Sequence, residues 1–252
     1  MLSEKDIETC LNEHKDFLEK YIADDAMVCY ALSNKIKNRH IVKLGTRDAK
    51  DKLKNHSVSP DRFSFFTSVS NKLAGIDNLK ILEIGVSTGV NAKLIYDILK
   101  PKEIHLIDPW LSQNNRAADR GFTTNQHSLA FENTRRLFSK AKNVYIQQGF
   151  AEEFVEDYED EYFDFIYVDG DHSYEGCKKD LYEWYPKLKP GGFFGGHDFT
   201  NNNNSMRNKK YGVQKAACEF LLDHDRKIEF LTPCVETKYP QLLLPFDWGF
   251  IK

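Results

Sequence analysis

Two short apolar runs, Phe163–Val168 and Gly192–Gly195, each stop abruptly at a polar cluster. Asp169-Gly170-Asp171-His172 follows the first and His197-Asp198 follows the second. The stretch between them has a helical rhythm, with Cys177, Leu181, Trp184, Tyr185 and Leu188 on one apolar face. Two strands joined through a helix are neighbours in a parallel sheet. Both clusters therefore fall at the carboxyl edge of that sheet, where open α/β folds place their ligands. Three carboxylates and two imidazoles meeting there make a cation site or an acid–base site. Strand-end loops that are acidic by accident are the plain alternative, which needs the coincidence twice.

The same alternation runs through most of the chain. Apolar runs at Ile81–Ile84, Ile104–Ile107 and Val144–Ile146 predict three earlier strands. Helical patterns lie at Val90–Leu99, which Pro101 stops, around Phe131–Phe138 and at Val213–Leu222. A short helix from Arg62, with Phe63, Phe66, Val69 and Leu73, precedes the first strand. Ile228–Leu231 and Phe246–Ile251 have no helix between them and predict an antiparallel hairpin at the edge of the sheet. The reading is an α/β, doubly wound, mostly parallel sheet with helices on both faces. Residues 3–32 repeat apolar positions at helical spacing, whereas 33–61 are polar and weakly patterned. Two units follow: an N-terminal helical cap or connector over 1–61 and the main domain over 62–252.

Bulk properties narrow the function. A net charge of −3 gives no electrostatic footprint for nucleic acid, so no nucleic-acid partner is expected. The five cysteines, Cys10, Cys29, Cys177, Cys218 and Cys234, are scattered with no C-x-x-C pair, against a disulfide framework or structural zinc. The opening MLSEKDIETC does not read as a secretory signal, and no apolar run is long enough to span a bilayer. A cytoplasmic protein with no membrane partner is the expectation.

The first strand–turn–helix reads Glu83-Ile84-Gly85-Val86-Ser87-Thr88-Gly89-Val90-Asn91. A dinucleotide fingerprint G-x-G-x-x-G needs glycine where Ser87 and Val90 stand, and a P-loop needs a lysine that is absent. What remains is a glycine turn with an acidic residue inside the strand and a second, Asp108, ending the next strand, placed to bind ribose hydroxyls. A ligand with a ribose, no pyrophosphate and a cationic amino-acid tail suits this arrangement.

These residues resemble the class I S-adenosylmethionine-dependent methyltransferases over roughly 62–252. E-I-G-x-S-T-G, the acidic end of the second strand, V-D-G-D-H-S-Y-E and P-G-G-x-x-x-G-H-D-F are similar to the metal-dependent small-molecule O-methyltransferases, relatives of the catechol and macrolide-sugar enzymes. The resemblance implies a Rossmann-like sheet of seven strands and S-adenosylmethionine as cofactor. By this resemblance Glu83, Gly85 and Asn91, with Ser87 and Gly89 of the same turn, hold the methionine end, Asp108 holds the ribose, and Ala151 and Glu152 border adenine. Asp169 lies against both donor and metal.

The resemblance also implies a divalent cation held by Asp169, His197 and Asp198. Many relatives have two acidic or amide residues after the fifth strand; here the first is histidine. An all-oxygen set points to Mg²⁺, while an imidazole tilts toward Mn²⁺ or another transition ion. His197 has a second reading, in which it faces the acceptor and Asp171 or water completes the shell. His172 is implied as the general base, with helix capping as its structural alternative. The catalytic set is thus His172, Asp169 and His197.

The implied activity is divalent-metal-assisted O-methylation of a small polar acceptor, a sugar, nucleotide sugar or phosphorylated small molecule, in capsule or natural-product biosynthesis. Arg116, Arg120, Arg207, Lys209 and Lys210 in two long polar loops suit an anionic acceptor, including transfer to a phosphoryl-type oxygen. The rival readings are an NAD(P)-dependent oxidoreductase, disfavoured by the broken fingerprint, a nucleic-acid methyltransferase, disfavoured by charge, and a non-catalytic module, disfavoured by the intact strand-end acids. The N-terminal helices are candidates for covering the site or forming a homodimer.

Overall fold

The computed structural model describes residues 20–21, 60–111, 123–199, 203–204, 209–210, 212–232 and 247–252. Most of the expected unit 1–61, together with Arg116, Arg120 and Arg207, lies outside the described residues. So do the side chains of Lys209 and Lys210.

Five helices are described: α1 Pro60–Lys72, α2 Val90–Leu99, α3 Thr124–Leu137, α4 Tyr174–Trp184 and α5 Val213–Asp223. The expected boundary at 61/62 falls inside α1. The strands are β1 Lys80–Ile84, β2 Glu103–Asp108, β3 Val144–Gln148, β4 Phe163–Val168, β5 Leu188–Gly196, β6 Asn203–Asn204, β7 Lys209–Lys210, β8 Phe230–Leu231 and β9 Trp248–Ile251. Seven of them form one sheet in the order β3-β2-β1-β4-β5-β9-β8, and β6 pairs with β7 alone. β1 to β5 are parallel to their neighbours, while β9 runs antiparallel to both β5 and β8. The expected C-terminal hairpin is therefore present at the sheet edge, with the last strand inside and β8 outermost. None of the described helices is long and apolar enough to cross a membrane.

Burial follows from position in the sheet. β4 has neighbours on both sides and helices on both faces, so all six of its residues are buried and it reads as a continuous apolar run. Side chains alternate between faces. Ile166, Val168 and Phe194 pack with Trp184 of α4 and Phe220 of α5, whereas Phe165, Tyr167 and Phe193 pack with Phe65 and Phe66 of α1 and Ile95 of α2. β5 begins at Leu188, earlier than its apolar run suggests, because the register shift between Phe163 and Phe165 lets Leu188 pair across Lys189–Gly192.

Two helix starts are set by side chains near the sheet edge. Thr123 and Gln126 form a reciprocal capping box on α3. Ser173 caps α4 by accepting from the Gly176 nitrogen at 3.0 Å, and Asp171 accepts from the Ser173 nitrogen at 2.9 Å. The chain winds from β1 outward through β2 to β3, then returns to β4 and β5 on the other side. The switch point lies between β1 and β4, the place where such sheets open a crevice at their carboxyl ends.

Candidate active site

Backbone bonds run on past the strand ends and align the polar clusters. Asp169 donates its N–H to the Ile84 carbonyl (2.8 Å), Gly85 to Ile107 (2.9 Å) and His197 to Val168 (3.1 Å). Gly85 has φ of 86°, and a Cβ there would overlap the Asp169 carbonyl and lie 2.6 Å from the Gly170 nitrogen. Only glycine permits this approach of the first turn to the β4 end. Ser87, Trp110 and Asp198, non-glycine residues on these loops, also have positive φ, at 51°, 44° and 59°. Such backbone strain collects at functional sites.

Asp108 holds the first two loops together. Its carboxylate accepts from the Ser87 nitrogen (2.8 Å) and the Trp110 nitrogen (2.6 Å), and the Trp110 indole donates to the Ser87 carbonyl (2.7 Å). Gly89, at the start of α2, lets that helix approach α3, because a Cβ there would stand 2.7 Å from the Thr134 hydroxyl oxygen. Glu83 is fully buried; its Oε1 accepts from the Asn91 side chain at 3.0 Å. Its Oε2 and Asn91 Oδ1 have no hydrogen-bond partner among the described residues. Burial raises the Glu83 carboxyl to about 8 against the opposing Asn91 bond.

Gly85, Ser87, Asp108, Ala151, Glu152 and Asp169 all line one cavity of about 350 Å³, together with Asp171, His172, Glu175, Lys179 and Asp180. Glu83, Gly89, Asn91, His197 and Asp198 are not part of its wall. Six carboxyl groups, Asp108, Glu152, Asp169, Asp171, Glu175 and Asp180, face Lys179 as the lone lysine there. Such a lining favours a cationic ligand and opposes a pyrophosphate.

The two expected carboxylates converge where Asp169 and His172 of the cavity wall meet Asp198 behind them. His172 Nε2 lies 3.2 Å from Asp169 Oδ1 and 2.6 Å from Asp198 Oδ2. Ligand atoms of Asp169, His172 and Asp198 all lie within 4.8 Å of one another, a spacing fit for one metal ion. His197 stands further back, with Nδ1 at 3.7 Å from Asp169 Oδ1 and 3.5 Å from Asp198 Oδ1. The structure thus puts His172, expected as the base, between the carboxylates and His197, expected as a ligand, behind them. Burial alone would lower the His172 imidazole, but Asp198 and Asp169 outweigh it and raise it to about 10. Burial likewise opposes ionisation of Asp198, yet His172 and His197 hold it well below the usual carboxylate range; Asp169 is lowered by the same histidines. Two carboxylates and two imidazoles in one buried cluster are a donor set better suited to a divalent transition ion than to Mg²⁺.

Behind His197 lies a group that the sequence reading missed. Asp247, 2% exposed, is bound by Arg62 through Nε at 3.0 Å and Nη2 at 2.9 Å, by the Tyr167 hydroxyl, and by Thr232 Oγ1 at 2.8 Å. Its Oδ1 is 3.9 Å from His197 Nε2. Burial raises the Asp247 carboxyl, and Arg62 and His197 more than reverse this, keeping it ionised. No local motif marks these residues, which come from α1, β4, the end of β8 and the start of β9.

Fold and site together define an open α/β protein with an acidic ligand crevice at its switch point. Residues 82–199, from β1 through the His197-Asp198 pair, match a family model described as methyltransferase domain. An O-methyltransferase from Bacillus cereus in complex with SAH is 19% identical, covers 98% of this chain and 100% of its own, and gives a TM-score of 0.52. A putative O-methyltransferase from Klebsiella pneumoniae is 15% identical, covering 97% and 98%, at 0.52. An SAH-bound methyltransferase from Podospora anserina is 16% identical, covering 91% and 97%, at 0.51. These likenesses establish the fold. No curated protein matches the sequence significantly. The chain thus has an open α/β, Rossmann-like fold, and its residues 82–199 are similar to a methyltransferase domain.

Proposed function

We propose that this protein is a methyltransferase that moves the methyl group of S-adenosylmethionine to an oxygen of a small polar acceptor beside a divalent cation. The observation that carries the proposal is the meeting of Asp169 and Asp198, from the ends of two strands, beside a carboxyl-lined cavity whose wall includes Asp169 and His172. The acid lining suits a donor with sulfonium and ammonium charges, and the names of the structural neighbours support the same donor and O-methylation.

In this reading Gly85 brings the donor against the β4 end, Asp108 offers its remaining lone pairs to ribose, and Ala151 and Glu152 border adenine. Asp169, Asp198 and His172 would hold the cation, with His197 Nδ1 3.5 Å from Asp198 Oδ1. When bound, the cation supplies positive charge that makes an acceptor hydroxyl more acidic. His197, outside that set, is the imidazole left beside it to receive the acceptor proton, and Asp247 lies on the far side of His197. The chain's remaining task is alignment, since a sulfonium methyl is already activated; fixed carboxylates on strand ends provide it.

The test is methyl transfer from labelled S-adenosylmethionine to a panel of sugars, phosphorylated sugars and amino alcohols, with Mg²⁺, Mn²⁺ or chelator. Asp198→Ala is expected to lower turnover at least about a hundredfold while S-adenosylhomocysteine binding persists. Full activity in chelator or in that variant removes the cation from the mechanism. Calorimetry showing NAD binding, with none for S-adenosylhomocysteine, removes the donor.

A further inference from the structure

Each buried carboxyl group of the described fold but one is engaged by a partner. Asp164 accepts from the Lys80 nitrogen and from Lys189 Nζ, both at 2.8 Å. Asp247 is held by Arg62 and two hydroxyls, Asp169 and Asp198 by histidine, and Glu83 by Asn91. Asp180 is the exception. It is 7% exposed on α4, yet accepts no hydrogen bond from any described residue. Its open side is the donor cavity, whose wall it forms. Unlike Glu83 Oε2, which is sealed off without a partner among the described residues, the Asp180 carboxyl is reachable from this cavity and open to a ligand.

Its place in that cavity is fixed by two neighbours. Lys179, the preceding residue, pairs with Glu152 at 3.5 Å, which sets this turn of α4 against the Ala151–Glu153 turn after β3. On the other side, a Cβ on Gly170 would come within 3.1 Å of Asp180 Oδ2. Asp180 therefore looks into the end of the cavity that the donor reading gives to adenine.

We propose that Asp180 sets donor specificity by pairing with the adenine ring: its carbonyl oxygen accepts from the exocyclic amino group while its hydroxyl donates to the adjacent ring nitrogen. The inference rests on the donor reading above. A neutral carboxyl group offers one donor and one acceptor side by side, which matches the amino-and-ring-nitrogen edge of adenine as an amide side chain does. The surroundings keep it neutral. Burial and then Glu152, Asp171 and Glu183 raise the carboxyl to about 8 against a smaller opposing effect of Lys179. An ionised carboxylate would accept from the amino group but repel the ring nitrogen; the protonated form satisfies both.

The experiment is calorimetry with S-adenosylhomocysteine and with its analogue lacking the exocyclic amino group. Wild-type protein is expected to bind the analogue at least about tenfold more weakly. Asp180→Asn keeps a donor and an acceptor in place and should retain this preference, whereas Asp180→Ala should lose affinity for S-adenosylhomocysteine and bind both compounds alike. Equal binding of the two by wild-type protein overturns the inference whatever the variants do, as does a tenfold preference surviving in Asp180→Ala. Wild-type protein that binds no S-adenosylhomocysteine overturns the donor reading and this inference with it.

Discussion

Replacing Asp180 by asparagine should make the protein more stable at neutral pH and have little effect in acid. A free aspartate ionises near 3.8, whereas the folded environment holds Asp180 protonated up to about 8. At pH 7 the unfolded chain has released this proton and the folded chain has not. Folding must take it up about three pH units above the point where the free group ionises. At about 1.4 kcal/mol per pH unit, this costs the wild type about 4 kcal/mol at pH 7 and about 1.6 kcal/mol at pH 5. The sign follows from proton counting: the folded state binds more protons, so stability falls as pH rises from about 3.8 to about 8. Asparagine cannot ionise and lacks this slope. Glu83 contributes a similar slope, but equally to both proteins, so it cancels in the comparison. The variant's advantage should therefore widen by roughly 2–3 kcal/mol between pH 5 and pH 7, or about 5–10 °C in Tm for a chain of this size. Thermal melts of both proteins at pH 5, 6 and 7, at constant ionic strength and without ligand, measure it. Parallel curves would show that Asp180 ionises freely in the fold and refute the reasoning.

Two other substitutions probe the frame around the site. Gly85→Ala forces a side chain onto a φ of 86° and into the Asp169 carbonyl; the conformation alone costs about 1–2 kcal/mol. Calorimetry should show S-adenosylhomocysteine binding lost or reduced by more than tenfold, and unchanged binding would mean that the turn does not border the donor. Asp247→Leu leaves the Arg62 guanidinium buried without its counter-charge and should cost about 3–5 kcal/mol in urea denaturation. Adding Arg62→Met should recover much of that loss, and a double variant as unstable as the single one would argue against an ion pair.

The sheet was legible because its signal is local. Strand-length apolar runs separated by helix-length amphipathic stretches admit few arrangements, and Asp169-Gly170-Asp171-His172 and His197-Asp198 announce themselves as polar interruptions directly after strands. The lining of the cavity by Gly85, Ser87, Asp108, Ala151, Glu152 and Asp169 could be anticipated in the same way, since each follows a strand that ends at one edge. Gly89 shows what sequence leaves open, because a glycine that lets helices approach looks the same there as one that serves a ligand.

What the sequence determined by itself was the order of strands and helices, and with it the edge of the sheet that carries the chemistry, because periodicity and strand-end composition are properties of neighbouring residues. Tertiary structure alone decided which imidazole stands between Asp169 and Asp198, that β9 inserts between β5 and β8, that Asp247 from one end of the chain meets Arg62 from the other, and that Asp180 is left without a partner on the cavity wall. Those outcomes depend on distances between residues far apart in the chain, and burial, charge pairing and hydrogen bonding are set by those distances.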